Sequence, residues 1–207
     1  MMDNYQIRER ARDVLGGKLF ESPWLYPVLV MLVASAVSGA ATAFTVGIGG
    51  IIITGLLSVS LCGYFLTISR YRGTHTNLSV CIDTVKLDMP GNIITGLLYT
   101  VFVMLWSLLF VIPGIIKAIS YSMAFFIKAE NPDISPSDAI KESMRMMNGH
   151  KWEYFCLQLS FIGWYIVGAL CFGIGTLWVS AYNQTANAIF YDKVKNEIDI
   201  PVLETNA

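Results

Sequence analysis

Long apolar segments that contain no acidic residue constrain this chain more than any other feature of its sequence. They cover residues 24–46, 47–68, 93–112, 115–129, 155–172 and 176–191, and all 15 Asp and Glu lie outside them. Of the 14 Lys and Arg, only Lys117 lies well inside such a segment. Several of these segments approach the roughly 20 residues that a helix needs to cross a bilayer. The pattern predicts an integral membrane protein with an all-α fold.

The composition excludes several other classes of protein. Hydrophobic residues make up 55% of the chain and charged residues 14%, whereas a soluble domain carries about 25% charged residues. The net charge of −1 gives no broad basic field, so no nucleic-acid partner is expected. Residues 1–23 mix cations with acids and lack a clear cleavage site, so no cleavable signal peptide is expected.

Connections that carry Lys or Arg alternate along the chain with connections that carry none. The cationic ones are the N-terminal segment 1–23, the loops 69–92 and 130–152, and the tail 192–207. The neutral ones lie near residues 45–50, 113–114 and 173–175. The positive-inside rule then places both termini and the long loops in the cytoplasm. The sequence therefore predicts one polytopic helix bundle over residues 24–191, with six transmembrane helices arranged as three hairpins.

The apolar stretch 93–127 tests this topology. One helix of that length would run for about 52 Å, which exceeds a hydrocarbon core of about 30 Å. Pro113-Gly114 is the predicted break. The returning arm 115–129 is only about 22 Å long, so two alternatives stay open: it spans the bilayer, or it lies along the outer surface.

An amphipathic helix is predicted over residues 135–148 at the cytoplasmic membrane interface. Ser135 is a suitable N-cap with Pro136 in the first turn, and Asn148-Gly149 is a typical helix end. Ile140, Met144 and Met147 form an apolar stripe at i, i+4 and i+7. This stripe is a candidate docking face for a partner; the alternative is that it packs onto lipid or onto the bundle.

The last apolar segment holds the densest group of polar residues. Its members Tyr182, Asn183, Gln184 and Asn187, together with Lys117 and Tyr121, form the candidate intramembrane polar site. Amides are costly to leave unpaired in lipid. They either form hydrogen bonds between helices or line a site for a substrate or a lipid headgroup. Lys117 either extends its ammonium to the outer surface or binds an anionic headgroup.

No pattern of catalytic, metal-binding or cofactor-binding residues is found. The chain has no phosphate-binding glycine loop, no H-E-x-x-H and no G-x-S-x-G sequence. Its four cysteines form no C-x-x-C pair, and its two histidines lie in separate polar loops. We therefore expect no enzyme activity, no metal and no cofactor.

Two long stretches resemble a known family. They are residues 108–118 with their continuation through 121–124, and residues 138–151 leading into 159–164; residues 7–12 also fit. The resemblance is to the bacterial integral membrane family called domain of unknown function 975, found mainly in Firmicutes. That group is distantly similar to the membrane domain attached to some glycerophosphodiester phosphodiesterases. The resemblance implies a multi-pass protein of the bacterial cytoplasmic membrane, in contact with membrane lipids, and implies no activity.

Two functions remain open. The first is a non-enzymatic accessory or scaffold protein that binds a membrane or cytoplasmic protein partner on its cytoplasmic face, where nearly all the charge lies. The second is a small transporter or lipid-handling protein, suggested by the weak repetition of the hairpins and by the polar last helix.

Overall fold

The computed structural model describes residues 3–15, 26–36, 48–71, 86, 88–109, 111–170 and 175–199. Within these ranges the regular secondary structure is helical and no strand occurs. The predicted all-α fold class is therefore confirmed for this part of the chain. Much of the first predicted hairpin, most of the loop 69–92 and the end of the tail lie outside the described residues.

The helices differ widely in length. In chain order they are α1 Asn4–Val14, α2 Tyr26–Ala36, α3 Ile48–Tyr71, α4 Met89–Leu109, α5 Val111–Tyr121, α6 Ala124–Glu130, α7 Pro136–Met146, α8 Lys151–Leu170 and α9 Gly175–Asp199. Among the described residues, α4 and α8 are long and apolar enough to cross a membrane, over Met89–Trp106 and Lys151–Leu170.

Helix α9 packs against several other helices. It contacts α1, α3 and α8, while α3 also packs against α4 and α6. Small side chains at Ala181, Ala186 and Ala188 are fully buried and allow the neighbouring helices to approach closely. Because other helices shield α9, it can carry polar residues that an outer helix in lipid could not carry.

Two pairs of glycines permit close helix crossings. A Cβ atom built on Gly55 of α3 would lie 2.8 Å from Cα of Gly96 in α4. One built on Gly175 of α9 would lie 2.8 Å from Cα of Gly168 in α8. Since these neighbours are backbone atoms, any larger residue must push the helices apart.

The predicted break at Pro113-Gly114 was wrong by a few residues. Helix α4 ends at Leu109 and α5 begins at Val111, so Pro113 is the third residue of α5. The first turn of a helix leaves its N–H groups without intrahelical acceptors, so proline costs little there. Pro113 and Gly114 therefore lie inside the first turns of α5, and residue 110 between the two helices is outside the described residues.

The returning arm 115–129, predicted as one helix, is divided into two. Helix α5 ends at Tyr121, and α6 begins after the turn at Ser122 and Met123. The hydroxyl of Ser122 donates to the carbonyl oxygen of Ile119 at 2.8 Å, and its N–H donates to the same oxygen at 3.3 Å. Local bonding of this kind by serine competes with the regular helical ladder.

Helix α7 begins where its cap was predicted. The hydroxyl of Ser135 accepts a hydrogen bond from the N–H of Asp138 at 3.2 Å, and Pro136 is the first helical residue. Gly149 has a φ of +91°, which suits the predicted termination. The predicted N-cap and termination are therefore confirmed, although regular helix ends at Met146.

Candidate functional site

Charged side chains from distant parts of the chain meet at one end of the helix packing. We call this region the charged end; it comprises Arg10, Arg70, Glu130, Glu153, Asp192, Lys193 and Lys195. It forms because α3, α6 and α9 finish at the same end, where α1 and the start of α8 also pack.

Arg70 joins the ends of three helices. Its Nε donates to Asp192 Oδ1 at 3.1 Å, and its Nη2 donates to the same oxygen at 2.7 Å. Nη2 also donates to Glu130 Oε1 at 2.7 Å. This two-pronged contact fixes the orientation of the planar guanidinium. Burial alone would lower the pKa of Arg70, but the hydrogen bonds to the two carboxylates raise it above its ordinary value.

Glu130 accepts hydrogen bonds from several donors. Besides Arg70, Lys195 Nζ lies 2.8 Å from Glu130 Oε2, and the hydroxyl of Tyr191 donates to that oxygen at 2.6 Å. Burial opposes ionisation of this carboxyl group. The hydrogen bonds outweigh burial and lower the pKa of Glu130 from 4.5 to about 2.

A second ionic group connects the start of α8 with the end of α9. Lys193, only 3% exposed, donates to Glu153 and lies 3.9 Å from Glu197. His150 lies between the same two carboxylates, at 3.6 Å from Glu153 and 3.8 Å from Glu197. Within the described residues, no group of three or more His, Cys, Asp and Glu side chains could hold a metal ion.

Near this end, the buried side chain of Lys128 joins the start of α4 to the segment after α6. Its ammonium donates to Asp88 Oδ2 at 2.5 Å and to the carbonyl oxygens of Pro132 and Ile134 at 2.6 and 2.8 Å. All three donors are thus used, and the side chain is 1% exposed. Asp88 also accepts the N–H of Gly91 at 3.1 Å, which caps α4. The bond from Lys128, then that from Gly91, lowers the pKa of Asp88.

A cavity of about 470 Å³ opens at the charged end. It is lined by Arg10, Ser69, Arg70, Glu130, Ile189, Asp192, Lys193, Lys195 and Asn196. A neighbouring cavity of about 460 Å³ shares Arg10, Ser69 and Arg70 with it. A third, of about 260 Å³, shares Glu130 and Lys195 and extends along α7 to Arg145. The charged end is therefore a concave surface between α1, α3 and α9 that continues towards α7.

The predicted polar residues of the last helix hydrogen-bond to α8. Gln158 Nε2 donates to Asn187 Oδ1 at 2.6 Å, and Asn183 Nδ2 donates to Gln158 Oε1 at 3.2 Å. Asn183 Nδ2 also lies 3.3 Å from the hydroxyl of Tyr165. These bonds join side chains of α8 to side chains of α9, which is the first of the two roles considered for the amides. Asn183 Oδ1 is buried and has no hydrogen-bond partner among the residues that the structure describes.

The other predicted polar residues are not gathered around these amides. Tyr182 donates from its hydroxyl to the carbonyl oxygen of Arg8 in α1 at 2.8 Å, and Gln184 is half-buried on α9. Lys117 and Tyr121 lie on α5, a helix that packs against α4, α7 and α8. The ammonium of Lys117 is 4.8 Å from the ring centroid of Trp106. Tyr121 is buried near Phe102, with ring centroids 6.0 Å apart.

The apolar stripe proposed for docking is covered by the chain itself. Ile140 is 2% exposed and Met147 is fully buried, while Met144 is half-buried beside them. Helix α7 packs against α4 and α6, and the hydroxyl of Ser143 donates to the carbonyl oxygen of Ser120 at 2.8 Å. The stripe thus packs onto the bundle, which was the alternative interpretation.

The sequence did not single out Arg70, Glu130 or Asp192 as a group. A signal for them exists, because each lies within two residues of the end of a predicted apolar segment. The alternation of connections predicts that those ends lie on one side of the membrane. Opposite charges at such ends indicate that they pair, although the sequence gives no way to select the partners.

The described helices define a class: an all-helical protein in which two helices are long and apolar enough to cross a membrane. A family model described as a protein of unknown function (DUF975) matches residues 89–197, which is more than half of the 207 residues. The chain belongs to this family, so the resemblance noted from the sequence is confirmed. The match includes Glu130, Asp192 and Lys195, whereas Arg10 and Arg70 lie outside it. No curated protein and no solved structure matches the chain.

Proposed function

We propose that this chain is a non-enzymatic accessory protein of the bacterial cytoplasmic membrane, which binds a protein partner through its charged end. In this proposal it crosses the membrane six times, with both termini in the cytoplasm. The observation that carries the proposal is the concentration of charge and of concave surface at one end, in a chain whose sides are apolar.

The apolar sides support membrane insertion. Only 22% of each membrane-length window in α4 and α8 is buried by the rest of the chain, whereas the core helix of a soluble protein is mostly buried. Large side chains exposed on these helices include Leu97, Val101, Met104, Leu105, Ile162, Trp164, Ile166, Val167 and Leu170. This many exposed large apolar side chains on two helices are unusual in contact with water and expected in contact with lipid.

The charged end supports partner binding on the cytoplasmic side. Its cavities extend along α7, where Lys141 and Arg145 remain 70% and 64% exposed and form ion pairs within the helix. Charged rims of this kind set partner choice and association rate more than affinity. The positive-inside rule faces this end towards the cytoplasm.

Partner binding is tested by purification of the full chain from its host in a mild detergent, followed by quantitative mass spectrometry. We expect a stoichiometric protein partner. The variant Arg145→Glu, in the lining of the third cavity, should lose it with little change in melting temperature, because the side chain is exposed. Gly163→Ala on the exposed side of α8 is the control and should retain it. A partner retained by Arg145→Glu, or none at all, contradicts the proposal.

Topology is tested by cysteine labelling in cells after the four native cysteines have been replaced. A single cysteine at Ile174, in the predicted outer connection 173–175, should react with a membrane-impermeant maleimide added outside. A cysteine at Lys141 should react only after the membrane is opened. The reverse pattern contradicts the proposed orientation.

A second candidate function, lipid handling or transport, is favoured by the buried acceptor Asn183 Oδ1. Such an oxygen suits a ligand that donates a hydrogen bond. Native mass spectrometry should then detect a retained lipid or small molecule that Asn183→Ala loses while its melting temperature stays unchanged. A fall in melting temperature with no retained ligand assigns Asn183 to helix packing.

A further inference from the structure

We propose that the exposed face of α8 is a lipid-binding surface, on which Trp152 lies at the boundary between headgroups and acyl chains of the leaflet around the charged end. Trp152 is 73% exposed, although it is the second residue of a helix that is otherwise packed against α9. Its ring lies 5.6 Å from that of Phe155. Tryptophan favours this boundary because its ring is largely apolar and its N–H needs a polar partner.

The exposed face of α8 changes from charged to apolar along the helix. Glu153 is the last charged residue before the end of the helix at Leu170. Beyond it, six large apolar residues are each more than half exposed: Leu159, Ile162, Trp164, Ile166, Val167 and Leu170. Trp152 therefore lies at the point where the charged part of the helix meets its lipid-like part.

The length of the helix agrees with this depth. Trp152 and Leu170 are 18 positions apart, which corresponds to about 27 Å along a helix. A hydrocarbon core is about 30 Å thick. If Trp152 lies at one boundary, Leu170 lies close to the other. Trp164 then lies about 18 Å from Trp152, near the middle of the bilayer.

The charges at the start of α8 are divided between the protein and the surface. Glu153 pairs with the buried Lys193 of α9. Lys151, beside Trp152, is half-exposed and forms no ion pair with any residue that the structure describes. A cation at this depth without an acidic partner is complementary to the phosphate groups of phospholipids. The acid is therefore held by the protein, while the cation and the indole ring are left for the membrane.

Two other helices carry exposed aromatic residues in comparable positions. Helix α2 begins at the exposed Tyr26 and continues with the exposed Leu29, Leu32 and Val33. In α1, Asn4 Nδ2 donates to the carbonyl oxygen of Glu153 at 3.1 Å, and the next residue, Tyr5, is 59% exposed. This contact brings α1 to the level of Trp152. A protein partner that binds the charged end would therefore approach the membrane surface.

The inference rests on the membrane location in the proposed function, but it does not need the protein partner. The test uses the full chain in phosphatidylcholine nanodiscs and measures tryptophan fluorescence. One protein keeps only Trp152 and carries Trp24→Phe, Trp106→Phe, Trp164→Phe and Trp178→Phe; its matched control keeps only Trp164. The quenchers are a phospholipid with a nitroxide on its headgroup, a phospholipid brominated near the ends of its acyl chains, and aqueous acrylamide.

We expect the headgroup nitroxide to quench Trp152 more strongly than the acyl bromines do, and the order to reverse for Trp164. Quenching of Trp152 by acrylamide alone, or the same order of lipid quenching for both residues, overturns the inference. In either case, strong quenching of Trp164 by the acyl bromines leaves the proposed membrane location intact. No lipid quenching of either residue contradicts that location as well.

A second measurement covers the case in which a fourfold variant fails to fold. The full chain is labelled with fluorotryptophan and studied by fluorine NMR, and the single variants Trp152→Phe and Trp164→Phe assign the two signals. A headgroup nitroxide should broaden the Trp152 signal more than the Trp164 signal, and a nitroxide near the end of the acyl chain should do the reverse. Equal broadening of both signals by each probe overturns the inference.

Discussion

Replacement of Lys128 by methionine should destabilise the protein more than any exposed charge replacement. The side chain is 1% exposed, and its ammonium is bonded to Asp88, Pro132 and Ile134 at 2.5–2.8 Å. Methionine keeps much of the apolar stem and removes all three bonds. The loss of stability therefore measures how strongly Lys128 holds the start of α4 to the segment after α6.

The expected loss of unfolding free energy depends on which polar groups lose their partner in Lys128→Met. Removal of one member of a buried ion pair costs about 3–5 kcal/mol. Asp88 is 30% exposed and regains water, so the lower end of this range applies, about 3 kcal/mol. For a chain of this size, that corresponds to a fall of about 6–12 °C in melting temperature. Lys141→Met is the matched control; Lys141 is 70% exposed beside Asp138, so its replacement should cost below about 1 kcal/mol.

The assay is thermal unfolding of the purified full chain in one neutral detergent, followed by far-ultraviolet circular dichroism. Asp88→Asn provides the second arm of a double-mutant cycle. Asp88→Asn should destabilise the wild-type protein, and it should destabilise the Lys128→Met protein much less, because the bond between Lys128 and Asp88 is already absent there. A Lys128→Met protein that melts within about 2 °C of Lys141→Met would refute the reasoning.

Three further outcomes are expected from the same preparations. Gly96→Ala should cost about 1–3 kcal/mol in unfolding free energy, because its Cβ would overlap the Cα of Gly55. Gly163→Ala, whose Cβ would have no atom of the described residues within 4 Å, should be neutral or stabilising. Glu130 has a lowered pKa, so its stabilising contribution is present above pH 4.5 and lost as the pH falls through about 2; in acid titrations Glu130→Gln should lose that part of the pH dependence. Asn187→Ala should lower stability by about 1 kcal/mol through its lost bond from α8, measured by urea or thermal unfolding in detergent.

The elements that the sequence predicted well are those set by local chemistry. Ser135, Pro136 and Gly149 lie at the ends of α7, where their own backbone preferences decide the structure. The same kind of signal was available for α1, where Asp3 and Gln6 form a capping box. There Ile7 and Ala11 also follow the helical spacing and are fully buried. That helix was treated only as part of a charged N-terminal segment, and its packing against α9 was missed.

The helix ends in the middle of the chain were harder to predict, because several backbone conformations there have nearly equal free energies. Proline excludes the helix interior and accepts the first turn, so Pro113 is compatible with a break before it as well as at it. The turn after Tyr121 coincides with a bond from the hydroxyl of Ser122 to the carbonyl oxygen of Ile119, but Ser160 makes the same bond to Leu157 inside α8, so the residue type does not indicate the turn. The family match covers residues 89–197 and does not determine these local choices.

The candidate site could not be predicted because its contacts join residues that are far apart in sequence. Arg70 and Asp192 are separated by 122 positions, and Arg70 and Glu130 by 60. Charge alternation places all three at one end of the bundle, but only helix packing decides that Arg70 lies between the two carboxylates. The same packing explains why the stripe on α7 faces inward, since its apolar residues suit lipid and protein equally. The partner surface proposed for this chain therefore rests on exposed charge rather than on apolar periodicity.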